Sequence, residues 1–187
     1  MDEEIKKSLE ILRNGGTILY PTDTIWGIGC DAANEKAVEK IFQIKQRDDS
    51  KSMIILLANE GMLPAYINNV PEQAWELIEC SDKPLTLVLQ GARNVAKNLI
   101  ASDGSIGIRI TKDEFCKRLI ERHRKPIVST SANISGEQSP QNFSEIAETI
   151  KTNVDYVVDL RREEKDKKLP SQIIQLGEKG EIKILRK

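Results

Sequence analysis

Apolar residues fall into two periods along the chain, and most segments take one or the other. Ile5, Leu9 and Leu12 repeat at helical spacing, and Gly15-Gly16 follows, so residues 2 to about 13 are expected to form an amphipathic helix with a glycine stop. Helical spacing returns in Ala37, Val38, Ile41 and Phe42 behind a capping Asn34, in Ala74, Trp75 and Ile78 behind Pro71, and in Phe115, Cys116, Leu119 and Ile120. A further helix is expected from about Phe143 to Ile150. Between these lie short runs rich in branched residues: Thr17–Tyr20, Met53–Leu57, PLTLVLQ from Pro84, SIGIRI from Ser105, Pro126–Val128 and Asp155–Leu160. SQIIQL and EIKILR flank Gly177 and Gly180 as a hairpin. Alternating helices and strands closed by a hairpin predict an α+β, mixed α/β fold: an open twisted mixed sheet flanked by helices.

Several strands run straight into polar loops, and such loops can converge on one concavity. STSANISG, Ser129 to Gly136, follows Pro126-Ile127-Val128. If the chain stays extended there, Ser129, Ser131 and Asn133 share one face while Thr130 and Ala132 take the other. Either a ligand loop or a turn capping the next helix fits this stretch alone. PTDTIWGIG after Tyr20 is a second polar loop, with Thr22, Asp23 and Thr24 followed by two glycines that permit close approach. Arg109 stands among isoleucines, where a guanidinium needs an anionic partner or a route to solvent.

The chain has 187 residues, the size of one domain, and residues 1–187 are taken as such. Its 28 Lys plus Arg against 29 Asp plus Glu leave a formal charge of −1, which gives no sign of a nucleic-acid coat or membrane-surface protein. No apolar segment approaches the roughly 20 residues of a membrane helix, and MDEEIKKSLEI is unlike a signal peptide, so a cytoplasmic protein is expected. Three scattered cysteines argue against a disulfide framework or zinc site. The single histidine, His123, lies in the basic tail ERHRK and reads as solvated. Lys45, Arg47 and Lys51 read either as a solvated turn or as part of an anion site. RREEKDKK, Arg161 to Lys168, reads as a mobile solvated loop or a lid over residues 161–170.

Neither GxxxxGK[ST] nor GxGxxG is present, so a nucleotide would have to be held another way. Lys45, Arg47, Lys51 and Arg109 can neutralise phosphate or carboxylate, and the Ser129, Ser131 and Ser139 hydroxyls can bond phosphate or sugar oxygens. This inventory has no evident nucleophile and base, so it suits catalysis by positioning and charge stabilisation.

Taken together, PTDTIWGIG, the K-x-R of Lys45 and Arg47 with Lys51, GIRI around Arg109, STSAN, Ser139-Pro140 and LPSQII resemble the YrdC/TsaC family of L-threonylcarbamoyladenylate synthases over roughly Gly16 to Arg186. The resemblance implies a YrdC/RibB-like fold with a concave basic cavity. It also implies a nucleotidyl transfer: L-threonine, bicarbonate and ATP with Mg²⁺ give threonylcarbamoyl-AMP and pyrophosphate, the first step towards threonylcarbamoyladenosine in tRNA.

Residue by residue, the resemblance implies that Thr24, Arg109, Ser129 and Ser171 hold threonine. Arg47, Lys51, Ser105, Ser131, Ser139 and Arg186 are implied to line ATP, with Lys45 and Asn133 supporting that pocket. No protein side chain is expected to bind metal or to become covalently modified. The chain departs from the family pattern at Asp48 and Ser52, where prolines are common, at Trp26, where tyrosine is common, and at Leu56, where a histidine is common. It matches the short form, without the extra C-terminal domain of longer relatives. Downstream threonylcarbamoyl-transfer proteins are implied partners. RNA or tRNA contact is the rival reading, a non-catalytic module whose binding would fall steeply with salt. A dihydroxybutanone-phosphate synthase would need clustered metal-binding acids, and no such motif appears.

Overall fold

The computed structural model describes residues 1–46, 53–177 and 180–187. Helices α1 (Asp2–Arg13), α2 (Glu35–Lys45), α3 (Leu63–Tyr66), α4 (Glu72–Cys80), α5 (Glu114–His123) and α6 (Glu148–Asn153) flank nine strands. These are β1 (Ile18–Tyr20), β2 (Gly27–Gly29), β3 (Ile54–Leu57), β4 (Leu85–Leu89), β5 (Ile106–Ile110), β6 (Ile127–Ser131), β7 (Tyr156–Val157), β8 (Gln172–Leu176) and β9 (Ile182–Arg186). One sheet joins them in the order β7-β1-β2-β6-β3-β5-β4-β8-β9. β1–β7, β3–β5 and β4–β8 are parallel and the other neighbours antiparallel, so the sheet is mixed.

The central strands read as continuous apolar runs because both of their faces are covered. Ile55 and Leu57 pack with Val38, Phe42, Ile108 and Val128 on one face. Leu56, between them, packs with Ile5, Leu12, Tyr20, Phe115 and Leu119 on the other, where α1 and α5 lie together. Each such fully buried side chain contributes roughly 1.5–3 kcal/mol of transfer free energy. Leu56 is thus committed to the core under α1 and α5.

Local signals account for most helix ends. Asn34 Oδ1 accepts from the Ala37 N–H at 3.1 Å, and Asp113 Oδ1 accepts from the Cys116 N–H at 2.9 Å. Two expected elements are shorter than the sequence suggests. The helix from Phe143 to Ile150 is divided into a 3₁₀ turn, Phe143–Glu145, and α6, because Ile146 and Ala147 are extended (ψ 126° and 141°) and Ile146 is drawn into the core. The strand Asp155–Leu160 keeps only Tyr156–Val157, since the Arg162 guanidinium takes the Val157 and Val158 carbonyls at 2.6 and 3.1 Å. His123, read as solvated, is buried at the end of α5 with Nε2 3.4 Å from Asp31 Oδ2. Cys30, Cys80 and Cys116 are free thiols.

Candidate functional site

Where α1 and α5 leave the sheet uncovered, the same face turns polar. In register across β4 and β5, Thr86 pairs with Arg109, and Arg109 pairs with Leu56 of β3, so Arg109 stands on the Leu56 face beyond the helices' cover. Ser129 faces Ile54 across β6–β3, and Ser131 faces Gly27 across β6–β2. The loop between β1 and β2 supplies Thr24, the segment before β8 supplies Ser171, and β9 supplies Arg186. They enclose a cavity of about 230 Å³ lined by Thr24, Trp26, Arg109, Ser129, Ser131, Ser139, Ser171 and Arg186.

Arg109 is 4% exposed, and its partners come from the loop after β1. Nη1 donates to Thr24 Oγ1 at 3.0 Å, and Nη2 lies 3.3 Å from Asp23 Oδ1. Its buried Nε has no partner among the described residues. Asp23 is fixed in turn by the Lys112 N–H at 3.1 Å, and Thr24 Oγ1 lies 3.0 Å from Thr22 Oγ1, which donates to the Ile25 carbonyl. A buried guanidinium is tolerated because it is paired and hydrogen-bonded. On the strand beside Arg109, Thr86 Oγ1 lies 2.7 Å from Ser171 Oγ, and Arg186 Nε donates to the Ser171 carbonyl at 2.8 Å.

The Arg186 guanidinium is pushed below its ordinary pKa by burial and by the like charge of Arg109. Two guanidiniums thus share a cavity into which, among the described lining residues, no carboxylate projects. Such a cavity favours an anion. Its remaining polar groups are hydroxyls, which can donate or accept. Among those lining residues there is no His, Cys, Asp, Glu or Lys to act as nucleophile or general base in the ordinary sense.

Gly27 and Gly29 make room for protein, chiefly the Tyr20 ring. A Cβ on Gly29 would stand 2.7 Å from Tyr20 Cε1 and 2.3 Å from the Val128 carbonyl oxygen. Tyr20 Oη donates to that same carbonyl at 3.0 Å. A Cβ on Gly27 would stand 3.1 Å from Ser129 Oγ.

Of the residues expected to contact substrates, Thr24, Arg109, Ser129, Ser171, Ser131, Ser139 and Arg186 come together on this cavity. Ser105 does not line it. Ser105 is buried at the start of β5, where its N–H donates to Asp103 Oδ1 at 3.0 Å, and its hydrogen bonds hold the Asp103 carboxyl below its usual range. Asn133 lies behind the wall, its Nδ2 donating to the Ile134 and Glu137 carbonyls at 2.9 and 2.8 Å. β6 ends at Ser131, so the two-residue alternation does not extend to Asn133, and Thr130 also reaches the cavity. Lys45 is buried rather than part of a solvated turn: Nζ donates to the Asn133 carbonyl at 2.7 Å and to the Ser131 carbonyl. Arg47 and Lys51, with the departures Asp48 and Ser52, lie outside the described residues.

Thr86 is a site residue not singled out from the sequence, and the pairing of Asp23 with Arg109 is a role the polar loop did not disclose. Thr86 is the one hydroxyl in the apolar strand LTLVL and is in register with Arg109, and Asp23 is the nearest acid to Thr24. The charged run after β7 is anchored at its head. Arg161 Nη2 pairs with Asp113 Oδ2 at 2.7 Å, and Arg162 lies over the Phe143 ring, which packs on Trp26 with centroids 4.8 Å apart. Residues 163–167 are exposed, and Pro170 and Ser171 return to the cavity wall.

Among the described residues no group of three His, Cys, Asp or Glu is placed to hold a metal ion, and no helix is long and apolar enough to cross a membrane.

Comparison with known proteins gives this geometry a context. Residues 10–187 match the Sua5/YciO/YrdC family profile, described as telomere recombination. The threonylcarbamoyl-AMP synthase of Pseudoalteromonas translucida (strain TAC 125) is 34% identical over 158 residues, covering 83% of this chain and 84% of the relative. The crystal structure of P. abyssi Sua5 complexed with L-threonine superposes with a TM-score of 0.86 at 29% identity, over 97% of this chain and 53% of that one, so this chain spans about half of it. E. coli YciO superposes with a TM-score of 0.86 at 25% identity, over 100% of this chain and 90% of that one. With the profile matched over nearly its whole length and the same fold, the chain belongs to the Sua5/YciO/YrdC family.

Proposed function

We propose that this chain is an L-threonylcarbamoyladenylate synthase, a nucleotidyltransferase that makes threonylcarbamoyl-AMP and pyrophosphate from L-threonine, bicarbonate and ATP. The observation that carries this reading is the convergence of Thr24, Arg109, Ser129, Ser131, Ser171 and Arg186, drawn from five separate segments, on one cavity holding two guanidiniums and no lining carboxylate among the described residues. A relative of that name, 34% identical over most of both chains, supports it.

In this reading the threonine carboxylate meets Arg109, whose orientation Asp23 and Thr24 set beforehand. Such preorganisation means that binding need not reorganise the site. Ser129 and Ser171 offer hydroxyls to the amine and side-chain ends of the amino acid. Ser131, Ser139 and Arg186 bind the nucleotide, with Arg47 and Lys51 as further ATP contacts, while Lys45 and Asn133 hold the loop that carries Ser131.

Threonine's ammonium group loses a proton, and the free amine takes up bicarbonate to give a carbamate and water. A carbamate oxygen then forms a bond to the α-phosphorus as the bond from that phosphorus to the β-phosphate oxygen breaks, and pyrophosphate leaves. In this reading Arg186, which lines the cavity, offsets the negative charge that gathers on the leaving pyrophosphate. Mg²⁺ enters as part of the substrate, Mg·ATP. The cavity's donors are hydroxyls rather than carboxylates, so phosphate oxygens and water fit as its ligands better than this chain does. On the same reading tRNA and the transfer proteins that consume the product would act downstream.

Pyrophosphate release from ATP tests the proposal. Release that requires both L-threonine and bicarbonate is expected. Release indifferent to either would end the synthase reading, and an RNA-binding module without catalysis would leave ATP intact.

A further inference from the structure

β4 and β5 form a wall with a cavity on each side. Thr86 and Arg109, partners in register, face the cavity described above. The alternate residues Leu85, Leu87, Ile108 and Ile110 face a second cavity of about 230 Å³, the same volume as the first. Leu63 and Ile78 complete its apolar lining, and Leu63, Leu87 and Ile108 belong to the main core, so its floor is rigid.

The mouth of this second cavity has a different character. Lys83, Lys112 and Lys117 stand on its rim with Glu60 as the one acid, an excess of two positive charges. Lys112 Nζ is held there by the Ser81 carbonyl at 2.7 Å and the Asp82 carbonyl at 3.3 Å. Among the described residues neither Lys83 nor Lys117 has a carboxylate at ion-pair distance. A purely structural void of this size would be closed by larger side chains or ringed by neutral ones. An apolar slot with unneutralised lysines at one end instead complements a molecule with an apolar body and a single anionic head.

From this arrangement we infer that the second cavity is a binding site for a small, soluble amphipathic anion, its aliphatic or aryl body between β4–β5 and α4, and its carboxylate or sulfonate head among Lys83, Lys112 and Lys117. The site is separate from the catalytic cavity but shares the wall that carries Arg109, and Lys112, on its rim, also donates its N–H to Asp23 at 3.1 Å. The inference rests on this cavity alone and stands whether or not the chain makes threonylcarbamoyl-AMP.

The test is a fluorescence titration of the full chain with 1-anilinonaphthalene-8-sulfonate, with ATP and L-threonine present to occupy the first cavity. One saturable site is expected, with decanoate competing at least about tenfold better than decanol because only the acid meets the lysines. The double variant Lys83→Glu/Lys117→Glu, the first exposed and the second half-buried, should weaken the dye by about tenfold, and Leu85→Trp, which fills the slot, should abolish binding. Should Leu85→Trp fail to fold, the lysine variant decides alone. Unchanged dye affinity in a folded variant, equal competition by decanol, or displacement of the dye by raising ATP would overturn the inference.

Discussion

Arg109 Nη1 donates to Thr24 Oγ1 at 3.0 Å, tying the middle of β5 to the loop between β1 and β2 across 85 residues of chain. The neighbouring Asp23 holds the other arm of the same guanidinium at 3.3 Å. Two adjacent loop residues therefore set one cation, the first by a neutral bond and the second by charge. Polar residues that look interchangeable in TDT thus have separate work: Thr22 braces the turn, Asp23 neutralises and Thr24 orients.

Replacing Arg109 separates its two roles. Arg109→Ala removes the proposed partner of the threonine carboxylate and leaves the half-buried Asp23 without its counter-ion, which costs at most about 3–5 kcal/mol of stability. Arg109→Lys keeps a charge beside Asp23 but loses the fork. The lysine variant should fold and raise the KM for L-threonine by about tenfold, with the KM for ATP changed by less than about threefold. Steady-state titration of each substrate decides, and an equal loss for both would sink the assignment of Arg109 to threonine.

The two glycines after Trp26 should differ sharply. Gly29→Ala would drive a methyl into the Val128 carbonyl and the Tyr20 ring, neither of which can yield, and is expected to cost about 1–3 kcal/mol in thermal or urea unfolding. Gly27→Ala is crowded only by Ser129 Oγ at 3.1 Å, with the Thr130 carbonyl and the Tyr20 ring at ordinary contact distances of 3.5 and 3.6 Å. It should fold with little loss yet weaken L-threonine use, because the displaced hydroxyl is a proposed threonine contact. A folded Gly27→Ala with unchanged threonine KM would remove Ser129 from that role.

Lys45 is expected to act through the loop it holds. Its buried ammonium binds the carbonyls of Ser131 and Asn133, and Lys45→Met would leave the Asn133 carbonyl without this donor at roughly 1–3 kcal/mol, while the Ser131 carbonyl keeps the Asn133 N–H at 2.9 Å. Unfolding should occur at lower denaturant. Hydrogen exchange should rise around residues 131–139, and the KM for ATP should rise more than that for threonine. If exchange there stays at the parent level while activity falls, Lys45 touches substrate instead.

Periodicity and turn chemistry made most of the strands, the glycine stop after α1, the capping residue Asn34 and the final hairpin legible, since each is a local matter, whereas β2 lies inside what reads as a polar loop. Seven of the residues singled out for substrates meet on one cavity; Arg109, Ser129 and Ser131 do so through alternation along β5 and β6, which is also local, whereas Ser171 and Arg186 are singled out only through the resemblance to the family. What the sequence hid depends on distant partners. Lys45 is buried only because two carbonyls of another segment await it, and His123 only because Asp31 lies beneath α5. Asn133 turns away from the cavity because β6 stops two residues earlier, a break that no glycine or proline marks. The split at Ile146 is equally silent, being set by the core that receives the isoleucine.

Asp31 should give the fold a measurable acid dependence. Burial by itself would raise its pKa, but the contacts from His123 and Lys125 and the Ala33 N–H outweigh that and hold the carboxyl down at about 2. Because the folded value lies below the ordinary 3.8, the ionised group contributes stability that is fully present above about pH 4 and is lost as pH falls towards 2. The expected contribution is about 2 kcal/mol at neutral pH. Other carboxylates titrate in the same range, so the informative quantity is the difference between the parent and Asp31→Asn, measured by urea unfolding from pH 7 down to pH 2. That difference should shrink through the window between about 4 and 2. A difference that stays constant across the whole range would mean that Asp31 acts through its shape and its bond to the Ala33 N–H, with its charge contributing nothing.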